Sequence, residues 1–120
     1  MILVDTSVWI DHLHRADAEL IALLADDQIG CHPLVIEELA LGSIAGRGAV
    51  IELLANLTQF PSLQHDEILH LVDSHQLWGR GLSAVDVALL GSALIAAGAK
   101  LWTRDKRLAA VWAEIGDPTH

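Results

Sequence analysis

The first residues, "MILVDTSVWIDHL", constrain the fold most, because a short apolar run ends directly at an aspartate. Ile2, Leu3 and Val4 favour β structure and offer no polar face, as expected of a strand that is buried on both sides in a parallel sheet. Asp5 follows at the carboxyl end of that strand. It is either the cap of the next helix or the first residue of a site, and this segment alone leaves both interpretations open.

Short apolar segments alternate with helical patterns through the rest of the chain. Further strands are predicted at 28–32, within 60–65 and at 99–103. Helices are predicted at 7–14, 16–25, 33–42, 49–57, from 66 to the glycines at 79 and 81, at 83–97 and at 105–115. This alternation predicts an α/β fold, a three-layer α/β/α sandwich around a central parallel sheet, formed by residues 1–120 as a single domain.

Composition excludes several classes of protein. Apolar residues make up 52% of the chain and charged residues 19%, which argues against disorder. The uncharged apolar segment 87–99 is shorter than the roughly 18 residues that a membrane helix needs, so we expect no membrane association. A single cysteine, Cys31, excludes an internal disulfide and fits a reducing compartment, which predicts a cytoplasmic protein.

The charge distribution is uneven. The net charge is −9, which does not favour nucleic-acid binding. Four basic residues nevertheless fall within 100–107 and are candidate RNA contacts: Lys100, Arg104, Lys106 and Arg107. The alternative is an ordinary solvated helix start.

Four acidic residues lie at predicted strand ends or nearby helix starts. Asp5 ends the first strand, and Asp105 follows the strand "KLWT" by two residues. Asp86 lies in the first turn of the long helix that begins after Ser83, and Glu38 lies one turn into the helix after "GCH". Ligands of parallel α/β sheets bind beyond the carboxyl ends of the strands, so these acids are candidates for one site.

Each aspartate also has a purely structural interpretation. Asp5 and Asp105 suit helix N-caps, and Ser83 with Asp86 resembles a capping box. Asp86 is harder to dismiss, because the residues three and four positions after it are apolar and its side chain should face the protein.

A gathering of carboxylates would imply a cation. Two like charges about 4 Å apart repel by roughly 4 kcal/mol at an effective dielectric constant of 20. Such a cluster persists if it is partly protonated or holds a metal, and oxygen ligands suit a hard divalent ion such as Mg²⁺. The matching chemistry is metal-assisted displacement at phosphorus, which needs no nucleophilic side chain.

Four segments in order resemble the PIN-domain ribonucleases, and within them the VapC toxins of toxin–antitoxin pairs. They are "VDTSVWID" at 4–11, "EELALG" at 37–42, "SAVDVALLGSALIAAGAKL" at 83–101 and "TRD" at 103–105. The resemblance implies a PIN-like sandwich and a metal-dependent endoribonuclease that uses Mg²⁺ or Mn²⁺. It also implies an RNA substrate, a cognate antitoxin and a homodimer. The implied metal-binding and catalytic residues are Asp5, Glu38, Asp86 and Asp105, supported by Thr6 and Thr103.

Two details of the resemblance concern the choice between Glu37 and Glu38 and the segment after the last helix. The family pattern has a leucine after the glutamate and a small residue soon after it, which favours Glu38 over Glu37. The family often has a further strand after the last helix, preceded by a phenylalanine near the final aspartate. Leu108 stands at that place here, and the terminal "GDPTH" leaves little chain for a strand.

Other interpretations rank lower. The chain could be an interaction module with a weak site, acting mainly by binding a partner. A receiver domain would need paired acids after the first strand and a lysine after the last, where this chain has Thr6 and Arg104. The histidine spacings do not fit a metal site. Tryptophans are more often core or interface residues than base-stacking ones, and Trp9 with Val8 and Leu13 is a candidate dimer surface.

Overall fold

A computed structural model describes residues 1–116, in which short strands alternate with helices. The strands are β1 (Ile2–Val4), β2 (Ile29–Cys31), β3 (Thr58–Gln59) and β4 (Lys100–Trp102). The helices are α1 (Thr6–His14), α2 (Ala18–Ala25), α3 (Pro33–Ala40), α4 (Arg47–Asn56), α5 (His65–His75), α6 (Ala84–Ile95) and α7 (Lys106–Ile115).

The four strands form one parallel sheet in the order β3-β2-β1-β4. Strand β1 therefore has a neighbour on each side, and its residues Leu3 and Val4 are fully buried. This confirms the buried strand that the apolar N-terminal run predicts and the α/β sandwich that the alternation of strands and helices predicts. Because crossovers between parallel strands are right-handed, α1 to α4 cover one face of the sheet and α5 and α6 cover the other.

The strand order creates a switch point between β1 and β4. The chain moves from β1 through β2 to β3 in one direction, then returns to place β4 on the opposite side of β1. Val4 and Trp102 are paired at the carboxyl ends of these two strands. A crevice beyond the carboxyl ends of strands at such a point is where open α/β sheets bind ligands.

Several boundaries differ from the predicted ones for local reasons. Strand β3 lies just before the segment predicted to hold it. The ladder ends with Phe60, whose N–H donates to the carbonyl of Cys31 at 2.7 Å, because Pro61 has no N–H to continue it. Helix α2 begins later than predicted, because Asp17 caps it by accepting from the N–H of Leu20. Helix α6 ends at Ile95, before a turn in which Gly98 has a positive φ.

The predicted dimer surface around Trp9 is wrong for two of its three residues. Val8 is 0% exposed and Trp9 is 1% exposed, and Leu13 packs partly buried against the same core. Helix α1 begins right after the central strand, so this face of its first turns lies on the sheet.

Among residues 1–116, no helix is both long and apolar enough to cross a membrane. The expectation that the terminal "GDPTH" adds no strand falls largely on residues 117–120, which lie outside the described residues.

Candidate active site

Asp5 lies at the carboxyl end of β1 and is 6% exposed. Its backbone N–H donates to the carbonyl of Trp102 at 2.9 Å, which continues the pairing of β1 with β4 by one residue. Its Oδ1 accepts from the N–H of Thr6 at 2.8 Å, so Asp5 is also the N-cap of α1. The two interpretations of Asp5 as a helix cap and as a strand-end acid are therefore compatible.

The second oxygen of Asp5 accepts two hydroxyl hydrogen bonds. The Oγ of Ser7 donates to Oδ2 at 2.8 Å, and the Oγ1 of Thr103 donates to the same atom at 2.6 Å. Asp5 is thus the acceptor in three hydrogen bonds from neighbouring groups. Thr103 comes from the opposite end of the chain and brings the end of β4 to the end of β1.

Both hydroxyls are themselves held by the turn after β4. The N–H of Arg104 donates to Oγ of Ser7 at 3.0 Å, and the N–H of Asp105 donates to Oγ1 of Thr103 at 3.0 Å. Two successive backbone amides thus orient two hydroxyls, and both hydroxyls direct their protons to one carboxylate oxygen. The turn that carries Asp105 is in this way attached to Asp5.

Glu38 is joined to Asp5 through Thr6. The Oγ1 of Thr6 donates to Oε1 of Glu38 at 2.6 Å, while its N–H donates to Asp5. The contact of α1 with α3 makes this possible. Glu37 instead lies close enough to His32 for its negative charge to raise the pKa of that imidazole, against the larger effect of burial, which lowers it. Of the two glutamates, Glu38 is the one linked to Asp5 in the structure.

Asp105 is the N-cap of α7. Its Oδ1 accepts from the N–H groups of Arg107 and Leu108, at 2.9 and 3.1 Å. Within residues 1–116, its Oδ2 has no hydrogen-bond partner. A carboxylate has two oxygens, so capping the helix leaves the other oxygen available for a ligand.

Asp86 lies in a self-contained turn. Its Oδ2 accepts from the N–H of Ser83 at 2.9 Å, and the Oγ of Ser83 accepts from the N–H of Asp86 at 3.1 Å, which is the predicted capping box. In the described chain, no hydrogen bond links Asp86 to the other three acids. The side chain of Arg107 of α7 lies against Gly81, in the loop before this turn.

The structure therefore links three of the four predicted acids and leaves the fourth in its own turn. Within residues 1–116, no three His, Cys, Asp or Glu side chains are arranged as a ready metal cage. Among the described residues, Oε2 of Glu38 and Oδ2 of Asp105 have no hydrogen bond, so the oxygens available in this network belong to carboxylates. That donor chemistry fits a hard divalent cation and excludes a soft one.

The four basic candidates have different surroundings. Arg104 pairs with Asp11 at 2.5 Å and with Asp17 at 2.6 Å, and these carboxylates raise the pKa of its guanidinium. Lys100 begins β4 opposite Ile2, at the amino-terminal edge of the sheet, away from Asp5. Lys106 and Arg107 occupy the first turn of α7, next to Asp105, and both are exposed.

Two residues in and beside the Asp5 network are not predicted from the sequence. Ser7 belongs to the hydrogen-bond network of Asp5, and the run of two hydroxyl residues after Asp5 was an available sign of it. Asp11 has the short contact with Arg104, 93 residues away, and no local pattern indicates a pairing over that separation.

Comparison with known proteins gives a consistent result. The family model of the PIN domain matches residues 2–113, from β1 into α7. Two curated relatives are each 67% identical over 116 residues, which cover 97% of this chain and 94% of theirs. Both bear the name Ribonuclease VapC32, one from Mycobacterium tuberculosis strain CDC 1551 / Oshkosh and the other from strain ATCC 25618 / H37Rv. The matched region contains all four predicted acids.

Proposed function

Because the chain belongs to the PIN-domain family, we propose that it is a metal-dependent endoribonuclease and the toxin of a toxin–antitoxin pair. The observation that carries this proposal is the network around Asp5. Hydrogen bonds from Thr6 and Thr103 attach Glu38 and the turn of Asp105 to one buried carboxylate at the switch point of the sheet. The two 67% identical relatives named as ribonucleases support the same activity.

The proposed metal ligands are Asp5, Glu38, Asp86 and Asp105, and the proposed ion is Mg²⁺ or Mn²⁺. When bound, such an ion would supply an activated water and neutralise charge at the phosphate. The residues of the chain fix the donor oxygens: Thr6, Ser7 and Thr103 determine the orientation of the Asp5 carboxylate.

The chain offers no thiol for an alternative nucleophilic mechanism. Cys31 is buried at the end of β2, and burial raises its pKa to about 11. A thiol with so high a pKa is almost entirely protonated near neutral pH, whereas the thiolate is the nucleophile. Water activated at the acidic site is therefore the proposed attacking group.

RNA has to approach an acidic molecule, so local cations matter. We propose that Lys106 and Arg107 contact the phosphate backbone, because they adjoin Asp105 and are exposed. Lys100 and Arg104 are also predicted contacts. Lys100, however, lies at the amino-terminal edge of the sheet, and Arg104 is paired with two carboxylates. Neutralising Lys106 and Arg107 should reduce the salt dependence of RNA binding.

The remaining predictions belong to the same proposal. Residues 1–120 would form one cytoplasmic nuclease domain that pairs as a homodimer and binds an antitoxin protein. Large apolar side chains are exposed and available for such contacts, among them Leu41 at 90% and Trp78 at 62% exposure. These same side chains also favour the second candidate function, an interaction module whose catalytic site is weak.

Cleavage of single-stranded RNA with and without chelator tests the proposal. We expect purified protein to cleave with Mg²⁺ or Mn²⁺ and to stop when the ion is chelated. Asp5→Asn should abolish cleavage while circular dichroism still reports a folded protein. Asp26→Asn, at an exposed acid before β2, is the matched control and should cleave normally. Full cleavage in excess chelator would contradict the nuclease proposal, and absence of metal binding would favour the interaction module.

A further inference from the structure

We infer that Arg104 is a positioning residue that clamps the turn carrying Thr103 and Asp105 onto helix α1. We call residues 103–105 the TRD turn. The inference deepens the proposed function, on which its catalytic meaning rests, and it assigns to Arg104 a role other than contact with RNA.

The guanidinium of Arg104 forks across two carboxylates. Its Nη1 donates to Oδ2 of Asp11 at 2.5 Å, and its Nη2 donates to Oδ2 of Asp17 at 2.6 Å. Asp17 is itself fixed, because its Oδ1 caps α2 through Leu20 and its N–H donates to Nδ1 of His12 at 2.9 Å. One planar group thus attaches the TRD turn to α1 and to the start of α2. A planar fork suits this task better than a flexible ammonium does.

The backbone of Arg104 is attached to the same helix. Its N–H donates to Oγ of Ser7, and Ser7 and Asp11 are four residues apart on α1. Residues with that spacing share one face of a helix. Arg104 therefore lies along one face of α1, with its backbone at the Asp5 end and its guanidinium about one turn away.

This double attachment controls the residues on either side of Arg104. Thr103 donates to Asp5, and Asp105 directs its N–H to Thr103 and caps α7. Moving Arg104 would move both neighbours relative to Asp5. Exposed ion pairs add little to global stability, whereas a displacement of about 1 Å in a reacting group can cost a hundredfold in rate. The expected effect of losing the fork is therefore functional more than structural.

In the competing role, the guanidinium of Arg104 contacts an RNA phosphate, and its ion pairs with Asp11 and Asp17 restrain it from doing so. The two roles predict opposite results for Asp11→Asn combined with Asp17→Asn, a variant that keeps the arginine and removes its partners. A clamp would be weakened in this variant. A restrained RNA contact would be released, and RNA would bind more tightly.

The experiment has two test variants, this double variant and Arg104→Gln. They are compared with the natural protein and with a control variant that combines Asp26→Asn and Asp27→Asn. The control changes the same net charge at two exposed acids whose side chains have no hydrogen bond to another described residue. Four quantities are measured: the dissociation constant for Mn²⁺ by calorimetry, kcat and KM for RNA cleavage, and the hydrogen-exchange rates of the Arg104 and Asp105 amides by NMR.

For a clamp, we expect both test variants to lower kcat about tenfold and to weaken Mn²⁺ binding about fivefold, with KM changed less than twofold in the double variant. Their Arg104 and Asp105 amides should exchange faster, and the control should match the natural protein. Arg104→Lys should recover part of the loss, because it reaches one carboxylate at a time. Unchanged kcat and Mn²⁺ binding, or a KM lowered by more than twofold in the double variant, would overturn the inference.

The exchange measurement separates this inference from the proposed function. If the natural protein neither binds Mn²⁺ nor cleaves RNA, the nuclease proposal fails. Amide exchange then still tests whether Arg104 clamps the TRD turn onto α1. Unaltered exchange at Arg104 and Asp105 in Arg104→Gln would refute the clamp whether or not the protein is a nuclease.

Discussion

The turn at Asp5 and the turn at Asp86 share the same local chemistry and differ in what surrounds it. In each, an aspartate near the start of a helix accepts a backbone N–H from its own segment. Asp5 is buried and its carboxylate also accepts from Thr103, which is 98 positions away, whereas the described side-chain hydrogen bond of Asp86 stays within residues 83–86. The two turns therefore differ in long-range partners and in burial, although their local sequence pattern is the same.

Asp5→Asn should have the largest effect. Both oxygens of Asp5 accept hydrogen bonds, so whichever way the amide is turned, its NH₂ group faces a donor. We expect RNA cleavage to fall to the level of the chelated protein and the free energy of unfolding to fall by about 1–3 kcal/mol. Cleavage assays and urea unfolding measure these two effects. Normal cleavage by this variant would remove Asp5 from the site.

Thr103→Val should have the second largest effect. It removes the hydroxyl that donates to Asp5 and accepts from the N–H of Asp105. We expect kcat to fall about 10- to 100-fold, as for other residues that orient metal ligands. Thr103→Ser keeps the hydroxyl and should restore most of the rate. Equal kcat for the valine and serine variants would show that packing, rather than the hydroxyl, is what matters.

Ser83→Ala provides the matched test at the other turn. The serine caps α6 by accepting from the N–H of Asp86, so its loss should cost about 1 kcal/mol of stability. We expect a smaller loss of kcat than for Thr103→Val, because within residues 1–116 this hydroxyl bonds only inside its own turn. Thermal unfolding and cleavage rates measure both quantities. A loss of kcat as large as that of Thr103→Val would mean that the Asp86 turn is as closely coupled to the reaction.

The smallest effect concerns pH and His32, which caps the helix that carries Glu38. Its Nδ1 accepts from the N–H of Leu34 at 3.0 Å, and burial lowers its pKa from the ordinary value of 6.5. The neutral form is favoured in the folded state, so its contribution to stability is complete above pH 6.5 and is lost as pH falls toward the lowered pKa.

His32→Asn keeps a capping side chain and removes the titrating group. We expect the free energy of unfolding of the natural protein to decline more steeply below pH 6.5 than that of the variant. Urea unfolding at several pH values measures the difference between the two slopes. Parallel declines would exclude His32 as a source of the pH dependence.

The sequence was sufficient for features that depend on local pattern. An apolar run ending at Asp5 predicted the central strand, and the capping residues Ser83 and Asp105 predicted the starts of α6 and α7, because strand burial and helix capping are encoded within a few neighbouring residues. The assignment of Asp5, Glu38, Asp86 and Asp105 to one metal site stays a prediction.

The sequence was insufficient where side chains from distant segments meet. The pairing of Arg104 with Asp11 and Asp17 depends on the register of β4 beside β1. No periodic pattern in the sequence predicts that register. The candidate dimer surface at Trp9 is wrong for a related reason. An aromatic residue on a helix fits a core or an interface equally well, until the position of the sheet beneath it is known.

The bond between Thr103 and Asp5 also has a consequence for synthesis of the chain. The two residues are 98 positions apart, so Asp5 leaves the ribosome long before its partner exists. At about 5–20 residues per second, translation takes roughly 5–20 seconds to cover that distance. The central strand is the first to be made, and its second neighbour is the last. A nascent chain therefore lacks the hydrogen-bond network of Asp5 until β4 and Thr103 have been added.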